Sequence, residues 1–299
     1  MKINSSQNWF LGLILIASVI TAQSLYPHDD EVKIIGGEEH VQTPYGLMLR
    51  ECVHNVPSGT YIQESEDGSI FLTNDEKNFA KRVQKSEKCQ KADATRKLEQ
   101  WIDNGGWDLP AKISLSKFEA FYYVPNTPRT TNDQWLYYFI GSQNNDGSGP
   151  SVSIIQPVLS YYKGWYFQSW NCCPDGQAFN SPSIFNITPH DEVYGSVEVK
   201  DSQVTIVSQN KLGEQSSLTV DRSGRNFTWI DATLETYSIS NCTDYPKGRM
   251  TYSQMNVTLN NEIAAIPQWT DTFGPSECLG KTIIQDPQTI SIYHNILLE

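Results

Sequence analysis

The chain has 299 residues, a formal net charge of −12 and a sequence pI near 4.9. That balance argues against a nucleic-acid partner, whose phosphates would be repelled. It suits a soluble protein in a mildly acidic extracellular or vacuolar space, where many carboxylates are still ionised.

The amino terminus sets the compartment. Lys2 precedes an apolar run from Trp9 to Ile20 and then the small and polar residues Thr21-Ala22-Gln23, the layout of a secretory signal peptide over residues 1–22. The run is short for an anchor, since a spanning helix needs about 20 apolar residues. The mature chain is therefore expected to be secreted, or held in an acidic vacuolar lumen, with no membrane partner once the signal is cleaved. From Thr73 to Trp101 the residues are rich in Lys, Glu, Asp, Ala and Gln without internal Pro or Gly. This predicts a helix over about 75–102, capped by Asn74 or Asp75 and ended by Gly105-Gly106. Lys77, Lys81, Arg82, Lys85, Lys88, Lys91, Arg96 and Lys97 make it the most basic part of an acidic chain. It reads either as a solvated helical face or as a clamp over an acidic groove. Composition changes near residue 110, which divides the chain into 1–22, an amino-terminal segment 23–110, and 111–299.

After residue 110 the texture is β. Strands are expected over Lys112 to Val124, Trp135 to Gly141, Val152 to Tyr162, Trp165 to Trp170, Val193 to Val199, Gln203 to Ser208, Ser216 to Val220, Phe227 to Ile239 and Thr251 to Leu259. Turn signals such as Asn144-Asn145-Asp146-Gly147 and Arg222-Ser223-Gly224 separate them. Many strands with short turns and no alternating helices indicate an all-β antiparallel sandwich or barrel. All six cysteines follow the signal, an even count that suggests disulfides in a secreted chain, although spacing does not fix their pairing. Sequons begin at Asn186, Asn226, Asn241 and Asn256, which puts those positions on the surface if the host glycosylates them.

Two stretches carry chemistry. Ile154 to Leu159 sets Gln156 in an apolar strand, and Trp229 to Tyr237 sets Glu235 in an amphipathic one. In the second, Ile230, Ala232 and Leu234 share one face, so Trp229, Asp231, Thr233, Glu235 and Tyr237 line the other. Such an aromatic and polar face makes a better binding groove than a core surface, which would not tolerate Asp, Thr and Glu together.

The order of motifs is Tyr138-Phe139-Ile140-Gly141, Ile155-Gln156, an aromatic strand ending Ser169-Trp170, Ile187-Thr188-Pro189-His190-Asp191-Glu192-Val193, and Thr233-Leu234-Glu235-Thr236-Tyr237. Over residues 113–260 this order resembles the eqolisin family of fungal-type glutamic peptidases. The resemblance implies a concanavalin-like, lectin-like sandwich of two antiparallel sheets. It implies Gln156 and Glu235 as the catalytic pair, with Phe139 where the family has a tryptophan and Trp170 matching a second one. Trp229, Asp231, Thr233 and Tyr237 are then expected to contact a polypeptide substrate. A family glutamate two residues beyond the second tryptophan falls at Cys172, a departure that bears on substrate preference. The family does not explain residues 23–110 as mature structure; because similar enzymes carry basic propeptides, this segment is a candidate intramolecular propeptide.

Hydrolysis without a metal or covalent nucleophile needs a carboxylate to take and return a proton and a donor for the oxyanion. Glu235 can supply the first. Gln156 can donate through its NH₂ while its carbonyl oxygen holds the attacking water, and the carboxyl chemistry favours an acidic optimum. No HExxH or other ligand spacing joins the five histidines, no G-x-S-x-G elbow appears, and no phosphate-binding glycine loop points to a nucleotide, so neither a metal nor a cofactor is expected. The reading is a secreted acid endopeptidase. The alternative is a noncatalytic lectin-like module that binds glycan or cell-wall polymer in the same groove, supported by Phe139 and Cys172.

Overall fold

A computed structural model of the protein describes residues 25–94, 101–260 and 263–294. In chain order the elements are β1 (Val32–Ile35), β2 (Glu38–Thr43), β3 (Gly46–Leu49), β4 (Val53–Asn55), β5 (Thr60–Glu64), β6 (Ile70–Asn74), β7 (Phe79–Val83), helix α1 (Glu87–Ala94) and β8 (Trp101–Asp108). Then come β9 (Leu115–Tyr123), β10 (Trp135–Gln143), β11 (Ile154–Tyr161), β12 (Trp165–Cys172), β13 (Ala178–Asn180), β14 (Glu192–Lys200), β15 (Gln203–Gln209), β16 (Gln215–Asp221) and β17 (Trp229–Tyr237). The chain closes with β18 (Gly248–Leu259), β19 (Ile263–Ala265), β20 (Thr270–Asp271), β21 (Lys281–Asp286) and β22 (Thr289–His294). Every strand expected after residue 110 forms.

Two sheets make the sandwich. The first runs β20-β8-β17-β10-β11-β12-β13-β4, and the second β21-β22-β18-β9-β14-β15-β16-β5-β6-β7 with β19 beside β18. Pairing is antiparallel except where β4 joins β13 and β5 joins β16. Between the sheets Leu136, Tyr138, Ile140, Ile155, Leu159, Ile230, Ala232 and Leu234 pack with Phe118, Tyr122, Val197 and Ile206. Pro157 has no N–H for the ladder. The Tyr122 hydroxyl reaches across the core instead, donating to Pro157 O at 2.9 Å and accepting from Ile140 N at 2.9 Å.

Of the helix expected over about 75–102, only Glu87–Ala94 is α-helical among the described residues. Asn74 does cap, its side chain accepting from Lys77 N at 3.1 Å, but the turn is a single 3-10 one that ends at Asn78 with φ 47°. The chain continues as β7, and α1 is the short Glu87–Ala94. The reason is that good helix formers without an apolar stripe have nothing to pack, whereas β7 bonds to β6 and buries Val83. Gly105-Gly106, expected to stop a helix, lies inside β8, where a Cβ on Gly105 would stand 2.7 Å from Ile290 Cδ1. Arg96, Lys97 and the expected signal segment fall outside the described residues. The composition change at residue 110 is no break in the fold, because β4 to β8 extend both sheets. Arg225, fully buried, also holds Glu64 of β5 with two bonds of 2.6 and 3.0 Å.

The outer face of the first sheet is covered. β10, β11 and β12 are buried along nearly their whole length on both faces. Trp135, Tyr137, Phe139, Val158, Tyr166 and Trp170 cluster there with Val41, Tyr45, Met48 and Leu49 from the small β1-β2-β3 sheet. The Cys52–Cys89 disulfide ties this cover to α1, and Lys88 adds ion pairs to Glu38 at 2.7 Å and to Glu51. The face is thus closed by the apolar side chains of this small sheet, and Lys88 of the cationic tract braces that cover. The other disulfides are Cys172–Cys173 and Cys242–Cys278. Asn186, Asn241 and Asn256 are exposed, while Asn226 is half-buried with its amide bonded to Arg222 and Asp146.

Candidate active site

All of the sequence-predicted site residues lie on the covered face of the first sheet. Their positions there follow from strand register. In β17 the apolar Ile230, Ala232 and Leu234 enter the sandwich core, so Trp229, Asp231, Thr233, Glu235 and Tyr237 point outward, as their alternation requires. Gln156 and Trp170 are register partners on β11 and β12. β10 stands between β11 and β17, so Gln156 and Glu235 share a sheet and a face but are not on adjacent strands.

Gly141 of β10 pairs with Asp231. The flanking pairs Phe139–Val158 and Ser142–Ile155 place Gln156 opposite the same glycine. Asp231, Gly141 and Gln156 therefore form one row across three strands, with Cα atoms of the outer two roughly 10 Å apart at two strand spacings. Glu235 pairs instead with Tyr137, whose partner is Ser160, two rows further along. At about 3.4 Å per residue that adds some 13 to 14 Å along the strands. Phe139 and Thr233 occupy the row between. The structure brings Gln156 together with Asp231 and does not bring it to Glu235, because the register of β10 and β17 decides which carboxylate faces the glutamine.

Gly141 matters because it has no side chain. A Cβ there would meet Asp231 Oδ1 at 2.8 Å, so this carboxyl oxygen leans over the glycine towards Gln156. Asp231 is 1% exposed and Gln156 is 0% exposed. Neither amide atom of Gln156 has a hydrogen-bond partner, and neither does Asp231 Oδ1. The other oxygen, Oδ2, accepts from the Thr233 hydroxyl and from Asn104 Nδ2 at 3.3 Å. Asn104 Nδ2 also donates to Thr233 Oγ1 at 2.5 Å, and Asn104 Oδ1 accepts from Thr272 Oγ1 at 2.7 Å. Burial pushes the Asp231 carboxyl up to about 7, with the Thr233 bond opposing the rise. A buried carboxyl that holds its proton to neutral pH, beside an amide with unused donor and acceptor, can hold a water between them and exchange a proton with it. Gly141→Ala should crowd that pair. We expect a loss of about 1–3 kcal/mol in urea unfolding, as overpacking of a tight site predicts.

Around this row the aromatics form walls. Trp229 stacks on Trp101 with centroids 5.6 Å apart and planes 12° off parallel, and Trp101 meets Phe139 edge-on at 5.8 Å. The Tyr237 hydroxyl bonds Glu235, so that carboxyl is held at the far end of the same face. Sequence reasoning missed Trp101, at the end of the expected helix, and Asn104, between that helix and the glycines that would stop it. The consecutive glycines after them, inside an alternating Trp-Ile-Asp-Asn pattern, were the available strand signal.

No family model matches the chain, and no curated protein matches it. Among solved structures it is similar to a Scytalido-glutamic peptidase bound to a peptide-based transition state analog, with 14% identity and a TM-score of 0.48, covering 66% of this chain and 98% of that one. SCP-B, a member of the eqolisin family of peptidases in complex with the tripeptide Ala-Ile-His, shows 13% identity and a TM-score of 0.47 over 66% of this chain and 98% of its own. Chicken galectin 2 shows 9% identity and a TM-score of 0.26 over 46% of this chain and 99% of its own. At these scores the likeness assigns no residue a role.

Proposed function

We propose that the protein is a peptidase in which Asp231 and Gln156, facing each other across Gly141, activate a water and stabilise the oxyanion, with activity that rises towards neutral pH as Asp231 ionises. The observation that supports this is the pairing itself, a buried protonatable carboxyl and an unpartnered amide separated by a side-chain-free gap. Asp231 takes a proton from water and returns it to the leaving amine, so it must cycle between both forms near its pKa. Gln156 donates its NH₂ to the developing oxyanion and orients the water through its carbonyl oxygen. Asn104 and Thr233 hold Oδ2 and leave Oδ1 to the reaction. Trp229, Trp170, Phe139 and Tyr237 would line the peptide's path, with Glu235 a second carboxyl further along it.

The same proposal places the protein outside the cytosol or in an acidic lumen, after removal of residues 1–22, with glycans on exposed sequons. It also requires the β1-β2-β3 cover to leave the cleft. A removable propeptide must end before Trp101, because β8 supplies Trp101 and Asn104 to the site. The dibasic Lys81-Arg82 is poorly placed for such a cut, since it lies within β7 and Arg82 is bonded to Asp67 at 2.6 Å. The test is to incubate the full chain with an unfolded protein at a series of pH values from about 3 to 8 and follow new amino termini by mass spectrometry. Cleavage that rises with pH as Asp231 ionises supports the peptidase. No cleavage from a protein whose cover has been displaced, together with saturable glycan binding, would transfer the assignment to a lectin-like module.

A further inference from the structure

Loop tips usually run over the surface, because their backbone groups need water. The turn between β2 and β3, Thr43-Pro44-Tyr45-Gly46, is buried throughout. Several of its backbone groups are bonded locally. Thr43 Oγ1 donates to Gly46 O at 2.9 Å and accepts from Tyr45 N at 3.1 Å, and Gln42 Nε2 donates to Thr43 O at 3.0 Å. β2 pairs with β1 on one side and β3 on the other, and neither β2 nor β3 adds a strand to the sheet below. The turn therefore touches the covered face through its side chains, and Tyr45 is the large one at its tip.

Tyr45 is 1% exposed and meets Trp170 edge-on, with ring centroids 6.0 Å apart and planes at 78°. Trp170 is the register partner of Gln156, so this contact lies one strand spacing, about 5 Å, from the column of the proposed dyad. Edge-to-face packing satisfies the ring quadrupoles, an arrangement that an aliphatic side chain cannot reproduce. The same cluster contains Phe139, Tyr166 and Val158, which complete an apolar, aromatic surrounding.

We propose that Tyr45 is an internal ligand. It occupies a side-chain subsite that takes an aromatic residue of the substrate beside Gln156, and it closes the cleft until the turn withdraws. This rests on the peptidase reading for its biological meaning but not for its test. Peptidases bind substrate backbones extended along a strand or groove. A tight turn delivers the side chain without laying an extended backbone across Asp231 and Gln156, so Tyr45 fills the subsite without offering a bond for cleavage.

The experiment measures binding in Asp231→Asn protein, where hydrolysis cannot interfere. N-acetyl-tyrosinamide and N-acetyl-leucinamide are titrated calorimetrically into this chain with and without Tyr45→Ala. Removal of Tyr45 should tighten N-acetyl-tyrosinamide binding by roughly tenfold or more, and the tyrosine amide should exceed the leucine amide by a similar factor. Unchanged affinity in a folded Tyr45→Ala protein, or equal affinity for the two amides, overturns the subsite. If Tyr45→Ala does not fold, hydrogen exchange on the unaltered chain decides. Saturating N-acetyl-tyrosinamide should speed exchange of the Tyr45 and Gly46 amides while β10 to β12 stay protected, and no change in the turn rejects the proposal. A chain that binds the tyrosine amide as expected yet never cleaves protein would sink the peptidase reading alone.

Discussion

Asp231→Asn is expected to lower the rate of unfolded-protein hydrolysis by roughly 10²-fold or more, and Gln156→Ala by a similar factor, since each deletes a proton-transfer or oxyanion role. Glu235→Gln should stay within about tenfold of the unaltered protein, because a carboxyl two rows away cannot share a water with Gln156 and would act through substrate binding. Asparagine in place of Asp231 keeps an oxygen for the Thr233 and Asn104 donors, so the loss would not be a folding defect. Initial rates near pH 7, where Asp231 is partly ionised, with folding checked by circular dichroism, give the answer. A reversal, in which Glu235→Gln is inactive and Asp231→Asn is not, would falsify the Asp231 assignment and return Glu235 to the role that the motif order gave it.

The choice between these carboxylates shows what a sequence of this kind can and cannot carry. Alternation in Trp229 to Tyr237 identified the outward face, because a two-residue period needs no partner strand to be read. Yet Asp231, Thr233 and Glu235 have the same parity, and nothing within the stretch ranks them. The ranking comes from the register of β17 on β10, which sets Gly141 opposite Asp231 and Tyr137 opposite Glu235. Register is a tertiary property, fixed by core packing and turn geometry. The closed groove had a local signal, since the unbroken apolar run Trp135 to Ile140 is what a strand buried on both faces shows. The amino-terminal strands had little. Asn74 signalled a cap and did cap, but residues 79–83 found backbone partners in β6, and the α-helix is confined to Glu87–Ala94 among the described residues. Propensity yields where pairing supplies the hydrogen bonds.

A second large effect should appear in stability. Burial raises the Asp231 carboxyl from 3.8 to about 7 in the folded protein, so the folded state holds this proton more tightly than the unfolded chain does. Below about pH 4 both states are protonated and the group imposes no penalty. As pH rises from about 4 to 7 the unfolded chain ionises while the folded one resists, and folding loses about 1.4 kcal/mol per unit, approaching 4 kcal/mol in all. Above about 7 the loss is constant. Asp231→Asn removes the titration and should stabilise the protein by up to about 4 kcal/mol at pH 7.5 and by almost nothing at pH 3.5, read from urea midpoints at the two pH values. Equal shifts at both pH values, or a net destabilisation at neutral pH, would show that the carboxyl is satisfied in some other way. A substitution that strengthens the fold while removing activity is hard to reconcile with a structural role for the residue, since selection for folding alone would not keep a buried carboxyl that weakens it. The pairing of a gain in stability with a loss in rate at one position is therefore the sharpest evidence that Asp231 is held in place for chemistry.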